Sequence, residues 1–229
     1  MSLVLAAAGS DTQAHDALEA LCCAYWFPLY AYLRRQGQSA EDAQDLTQGF
    51  LARLLEKQAL RRFRQERGRF RSFLLSSLKH FVANERDAAQ AQKRGGGAPV
   101  MSWEELAGNG EQLYQTAGRS ELTPEKIFDK QWALALLQQV MERLRDEYQR
   151  SGRGEQFLRL QSYLTGNDSG VAYRQLAGEL NLSESAVKVA VHRLRRRFRE
   201  VLREEIGATV AHADEISDEI RYLMAVLRA

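Results

Sequence analysis

The chain has 229 residues, with 32 Lys and Arg against 30 Asp and Glu and 45% hydrophobic residues, a globular mixture long enough for one large domain or two small ones. No apolar run reaches the roughly 18–20 residues that cross a bilayer, and no basic residue precedes the short Leu3-Val4-Leu5-Ala6-Ala7-Ala8 stretch, which reads against a membrane span and a secretory signal. Cys22 and Cys23 are adjacent, so on one helix they point apart and staple nothing, a usage that fits a reducing cytoplasm.

The N-terminal block, about 12–92, repeats its apolar residues at helical spacing. Leu18, Leu21, Tyr25, Leu29, Tyr32 and Leu33 recur three and four apart, across a proline at 28. Ser39 is a good N-cap for a second helix, and Glu41 and Asp42 suit the positive end of its dipole. Leu46, Phe50, Leu51, Leu54 and Leu55 form the apolar face of that helix. A third helix is expected from near Arg69, with Phe70, Phe73, Leu74, Ser77, Leu78 and Phe81 facing inward. Core packing is the expected role of Phe70, Phe73 and Phe81.

Between Lys93 and Arg119 fall six of the sixteen glycines, which marks 93–123 as a linker, with a short helix expected around Trp103–Leu106. The C-terminal block, 124–206, begins with helices expected over Trp132–Tyr148 and Glu155–Leu164. A tail, 207–229, carries Ile216, Ile220, Leu223, Met224 and Leu227 on one apolar face, with acidic residues at its N-terminal end. Capping the core, masking basic residues and binding a partner are all open to it, and packing on the domain before it is the simplest role. The predicted class is all-α, as two small helical domains, a linker and a C-terminal amphipathic helix.

Local charge is strong although the total is only +2. Ten Lys and Arg lie between Arg61 and Arg94 against three acids, and seven lie between Lys188 and Arg203 against Glu200 alone. Such tracts are either solvated helix faces or polyanion sites.

The segment Tyr173–Lys188 favours the second choice. Ala177 is small enough for two helices to cross, Asn181 tolerates a left-handed turn, Leu182 is the expected apolar plug, and Ser183 is an N-cap. Val187, Val191, Leu194, Phe198 and Val201 then form a buried stripe. This is a helix-turn-helix, whose second helix fits the DNA major groove. Glu184, Ser185, Lys188, Val189, His192 and Arg193 are the candidates for base edges, and Arg174, Arg195, Arg196 and Arg197 for phosphates.

Ser185-Ala-Val-Lys-Val-Ala-Val-His-Arg-Leu-Arg-Arg-Arg resembles the second DNA-binding helix of extracytoplasmic-function sigma factors of the sigma-70 family. Ser39-Ala-Glu-Asp-Ala-Gln-Asp-Leu-Thr-Gln resembles their polymerase-binding helix, commonly D-A-E-D-L-V-Q, and Arg67-Gly-Arg-Phe-Arg-Ser-Phe-Leu-Leu resembles the start of the helix that melts the minus-ten element. The order also agrees across about 12–206: region 2, a linker, then region 4. The resemblance implies a transcription initiation factor that binds core RNA polymerase, with no enzymatic activity, cofactor or metal. Asp42, Gln44, Asp45, Gln48, Arg53 and Glu56 would meet the clamp coiled coil of the largest polymerase subunit. Phe63, Arg64, Arg71, Lys79, His80, Asn84 and Arg86 would face single-stranded minus-ten DNA. Region 4 would read the minus-thirty-five element and dock at the flap region.

Gln44 stands where the family motif has a carboxylate, and Thr47 where valine is common. The altered motif resembles that of groups switched on by Ser/Thr protein kinases, and a phosphate on Thr47 would supply the missing charge one helical turn from Gln44. Thr47 also lies near Phe50 and Leu51 on the helical wheel, where it reads as a packed β-branched residue. The alternative function is a helix-turn-helix regulator that does not bind core polymerase. An enzyme is disfavoured by four scattered histidines and the absence of any metal spacing or phosphate loop. A helical scaffold that only sequesters polymerase is a further alternative.

Overall fold

In the computed structural model the described residues are 12–56, 69–91, 110–115, 122–164 and 173–228, and none of them lies in a β-strand. Helix α1 (Thr12–Arg35) is followed by α2 (Ala40–Glu56) and α3 (Phe70–Ala91). Next come a short helical segment over 110–115, α4 (Pro124–Arg150) and α5 (Gly154–Leu160), the last extended by a 3-10 turn at Gln161–Tyr163. The chain ends with α6 (Tyr173–Glu179), α7 (Glu184–Gly207) and α8 (Ile216–Arg228). No described helix is long and apolar enough to cross a membrane.

Two compact units divide the chain: residues 1–135 with 206–229, and residues 136–205. The division falls inside α4 rather than in the Gly-rich stretch at 93–123. Residues 124–135 and the tail therefore belong with the N-terminal block, not with 124–206.

The first unit is built around aromatic residues from three helices. Tyr25 of α1 stacks on Trp132 of α4 at 4.0 Å between ring centroids, and Phe70 of α3 lies 5.7 Å from the same indole. Tyr25, Leu29, Leu33, Phe70, Leu74, Leu78, Phe128 and Trp132 are all at most 1% exposed. Such rings each bury a large area and add edge and stacking contacts. Helix α1 stops at a turn in which Gly37 adopts φ +89°, a left-handed conformation that glycine adopts without strain.

The linker expected at 93–123 contains structure that composition alone does not suggest. Residues 110–115 dock on α1, where Glu111 accepts hydrogen bonds from Arg34 Nε and Nη2, both at 2.8 Å, and from the Tyr30 hydroxyl at 2.6 Å. Hydrogen bonding from Arg34 holds the Glu111 carboxyl well below its usual range, at about 2. Burial, reinforced by Glu111, pushes the Tyr30 hydroxyl up. A Cβ at Gly110 would meet the Trp26 ring at 2.6 Å, so the close approach requires glycine. The helix expected around Trp103 lies outside the described residues.

The tail also departs from expectation. It packs within the first unit, where Leu223 is 2% exposed, and not on the domain before it. The Thr209 carbonyl accepts the Phe70 N–H at 2.8 Å, satisfying one of the donors left open at the start of α3. Of the apolar face read from Ile216, Ile220, Leu223, Met224 and Leu227, Leu223 is buried and the other four are half-buried.

In the second unit Val140, Leu144, Phe157, Leu160, Val187, Leu194 and Val201 are fully buried. Arg143 ties α4 to α7 through Glu204 and Glu205, the latter at 2.8 Å. Tyr148 packs on Phe157 at 5.4 Å and closes the end of this core.

Candidate nucleic-acid and protein-binding faces

Helix α2 divides cleanly into two sides. Ser39 caps it, accepting the Asp42 N–H at 3.0 Å and donating its own hydroxyl to the Asp42 carboxylate at 2.7 Å. Ala43, Thr47, Phe50, Leu51 and Leu54 form the inner stripe. Asp42 and Asp45 are exposed, while Gln44, Gln48 and Arg53 are half-buried at its margins. The Arg53 guanidinium lies over the Phe81 ring at 5.8 Å. Glu56 is the last residue of the helix.

Thr47 requires a correction. Its side chain is 0% exposed, and its hydroxyl donates back to the Ala43 carbonyl at 2.6 Å. A kinase has no access to that oxygen while α2 is docked, and a phosphate there would place about two negative charges inside the core. Packing, not phosphorylation, accounts for a β-branched residue at this position.

On α3, Phe70, Leu74, Leu78, Phe81 and Val82 point inward, as expected for Phe70 and Phe81. Phe73 is half-buried and stacks on Phe70 at 6.2 Å. Lys79, His80, Asn84 and Arg86 are exposed. Lys79 and Arg86, seven residues apart, fall in one line along the helix, and His80 and Asn84, four apart, form a second line beside it. Lys79 makes a 2.8 Å ion pair with Glu125, both side chains nearly half exposed, so the pair holds the ammonium only loosely. Phe63 and Arg64 lie outside the described residues.

Arg71 does not join the exposed cations. Its side chain is 11% exposed, with Nη1 donating to Asp129 at 2.7 Å and Nε to Glu219 at 2.6 Å. The guanidinium also lies 4.3 Å from the centre of the Tyr222 ring, and the Tyr222 hydroxyl donates to Asp129. Burial alone would lower the Arg71 pKa, but Glu219 and Asp129 together raise it. The expectation that Arg71 faces DNA therefore fails in this arrangement, because α8 covers it. Spacing could not reveal this, since the acids lie 58 and 148 residues away.

The helix-turn-helix closes through local bonds. Asn181 has φ 54°, the only positive φ outside glycine among the described residues. The Leu182 N–H donates to the Ala177 carbonyl at 2.9 Å, and Ser183 Oγ accepts the Ala186 N–H at 3.2 Å. Ala177 is buried, as a helix crossing needs. Leu182 differs from its expected role: it is 40% exposed and lines an open groove of about 400 Å³ with Tyr148, Arg153, Gln156 and Val189. The buried apolar residues around this turn are Leu176, Val187, Val191 and Leu194.

Glu184, Ser185, Lys188, Val189, His192 and Arg193 are all exposed on the first turns of α7. Among the described residues, Lys188, His192 and Arg193 have no carboxylate within ion-pair distance. Arg174 and Glu184 form an exposed pair at 3.1 Å. The later arginines are engaged: Arg195 donates to the Tyr163 carbonyl at 3.1 and 3.2 Å, and Arg196 pairs with Glu200 at 2.9 Å. Arg197 makes a bidentate pair with Glu147 at 2.8 and 2.9 Å, which raises its own pKa and lowers that of Glu147. Arg197 thus fastens α7 to α4 and is not a free phosphate ligand, a correction to its expected role.

Residues 28–91 match the Sigma-70 region 2 family. No curated protein and no solved structure matches the chain. The matched segment runs from within α1 to the last residue of α3 and contains both the two-sided α2 and the exposed cations of α3. The match covers 64 of the 229 residues.

Proposed function

We propose that the chain is a dissociable initiation subunit of the extracytoplasmic-function type, acting in the cytoplasm without a cofactor. The observation that carries this reading is the coincidence of the Sigma-70 region 2 match with α2, whose polar side is free of core packing. In this reading region 2 spans 12–92, the linker 93–123 and region 4 124–206, with 207–229 as a C-terminal extension, while 124–135 and the extension pack with region 2. Asp42, Gln44, Asp45, Gln48, Arg53 and Glu56 meet the clamp coiled coil of the largest polymerase subunit.

On α3, Lys79 and Arg86 hold strand phosphates while His80 and Asn84 meet unstacked bases of the minus-ten element. The α7 residues Glu184, Ser185, Lys188, Val189, His192 and Arg193 meet base edges of the minus-thirty-five element in duplex form, with Arg174, Arg195 and Arg196 at the backbone. Docking of the second unit at the flap region belongs to the same proposal. A kinase acting on Thr47 does not, because that hydroxyl is buried.

The test is capture on purified core RNA polymerase followed by run-off transcription. Wild type is expected to bind core, Asp45→Ala to bind at least several-fold less, and Arg193→Ala to bind core normally but lose promoter-specific initiation. A chain that binds duplex DNA but never core polymerase would instead be a helix-turn-helix regulator.

A further inference from the structure

We propose that α8 is a built-in competitor for nucleic acid: its Glu219 and Tyr222, together with Asp129 of α4, occupy the Arg69 and Arg71 guanidinium groups at the start of α3. Among the described residues, departure of α8 takes away the only carboxylate on Arg69 and one of the two on Arg71. The inference rests on the reading that the first unit contacts promoter DNA.

The arrangement reproduces, within one chain, what an arginine pair seeks from a nucleic acid. Anionic oxygens lie 2.6 and 2.7 Å from Arg71, another lies 3.2 Å from Arg69, and an aromatic ring lies 4.3 Å from the Arg71 guanidinium. The acids of the tail are concentrated at its N-terminal end, at Asp214, Glu215, Asp218 and Glu219, and of these Glu219 meets Arg69 and Arg71. Its basic end, Arg228, is at the other terminus of the helix.

The docked state also carries a built-in cost. Glu219 is 2% exposed, yet its Oε2 accepts no hydrogen bond and has only the ion pair to Arg69. A buried carboxylate with one poorly satisfied oxygen recovers only part of its desolvation, so this contact is weaker than a fully bonded one. Tyr222, which covers the other side of Arg71, is 38% exposed and can leave without opening the centre of the core. A purely structural helix end gains nothing from two arginines held on an imperfectly satisfied acid. A displaceable one does.

The test uses the full chain and a fluorescein-labelled 12-nucleotide single strand, titrated by anisotropy between 50 and 300 mM salt. Glu219→Gln is expected to bind about threefold tighter than wild type at low salt, with the salt slope steeper by roughly 0.7 for one additional phosphate contact, at Arg69, since Asp129 stays on Arg71. Unchanged affinity and slope in a folded Glu219→Gln variant overturns the proposal, as does weaker binding. Circular dichroism establishes folding, and if Glu219→Gln unfolds, Tyr222→Ala carries the same expectation and the same refutation. Core-polymerase capture of the same proteins separates the two readings. Wild type that binds core, with variants that gain no oligonucleotide affinity, overturns the competitor alone, whereas wild type that binds neither core nor oligonucleotide overturns both.

Discussion

The two basic tracts look alike along the chain and behave differently in the fold. At the start of α3, Arg71 is buried between Asp129 and Glu219, and Arg69 meets the same Glu219. At the start of α7, Lys188, His192 and Arg193 stand exposed, and the cations of this tract pair with carboxylates only further along, at Arg196 and Arg197. Positive charge in a sequence thus marks an exposed cationic face only where no acid from another helix buries it. Among the described residues the first tract is divided by the fold into a covered part, Arg69 and Arg71, and an exposed part, Lys79 and Arg86. The second is divided along its own helix.

The largest effect that would break this comparison is at Arg71. Arg71→Met leaves Asp129 and Glu219 buried without their cation and is expected to cost about 3–5 kcal/mol, read from the urea midpoint. Arg193→Met, on an exposed position, should leave that midpoint within about 0.5 kcal/mol of wild type. Equal effects at the two sites would mean that the tracts are equivalent after all.

A second substitution tests the interior of α2 against its outer side. Thr47→Glu is expected to lower stability by at least about 2 kcal/mol, because a carboxylate enters a dry site with no partner. Thr47→Val should be close to neutral, since the Ala43 carbonyl can keep a helical partner when the hydroxyl is lost. A Thr47→Glu variant that melts like wild type and binds core polymerase more tightly would revive the phosphosite.

Within α7, Arg197→Ala sharpens the contrast with Arg193. The pair with Glu147 is bidentate but partly exposed, so its loss is expected to cost about 1 kcal/mol of stability. Arg193→Ala is expected instead to reduce the salt slope of duplex binding by about 1 with no loss of stability.

The smallest effect concerns the segment 110–115. The Glu111 pKa is lowered in the fold, so its contribution to docking is complete above its ordinary value near 4.5 and is lost as pH falls towards about 2. Tryptophan fluorescence should report this through Trp26, which packs on Gly110. In Glu111→Gln the acid transition in that signal should disappear, with the rest of the unfolding curve unchanged.

Periodicity and caps were enough for the secondary structure that depends on neighbours in sequence. The helix beginning after Ser39, the left-handed Asn181 and the stripe Val187–Val201 rest on contacts within a few residues, and these were legible. The division of α2 into a packed side and a polar side was legible for the same reason. Leu182 was misplaced because a plug is defined by the volume left between helices, which residue spacing does not give; the residues buried there are Leu176, Val187, Val191 and Leu194.

By itself, then, the sequence determined the all-α class, the helix-turn-helix and the polar face of α2, since these follow from interactions three and four residues apart. Only the tertiary structure decided which arginines are free, that Thr47 is enclosed, that residues 110–115 dock on α1, and that the tail returns to the N-terminal unit. Each of these depends on a partner far away in the chain: Glu219 is 148 residues from Arg71, and Glu111 is 77 from Arg34. An ion pair at such separation leaves no local pattern. It exists only because aromatic packing around Tyr25, Phe70 and Trp132 has first brought the helices together.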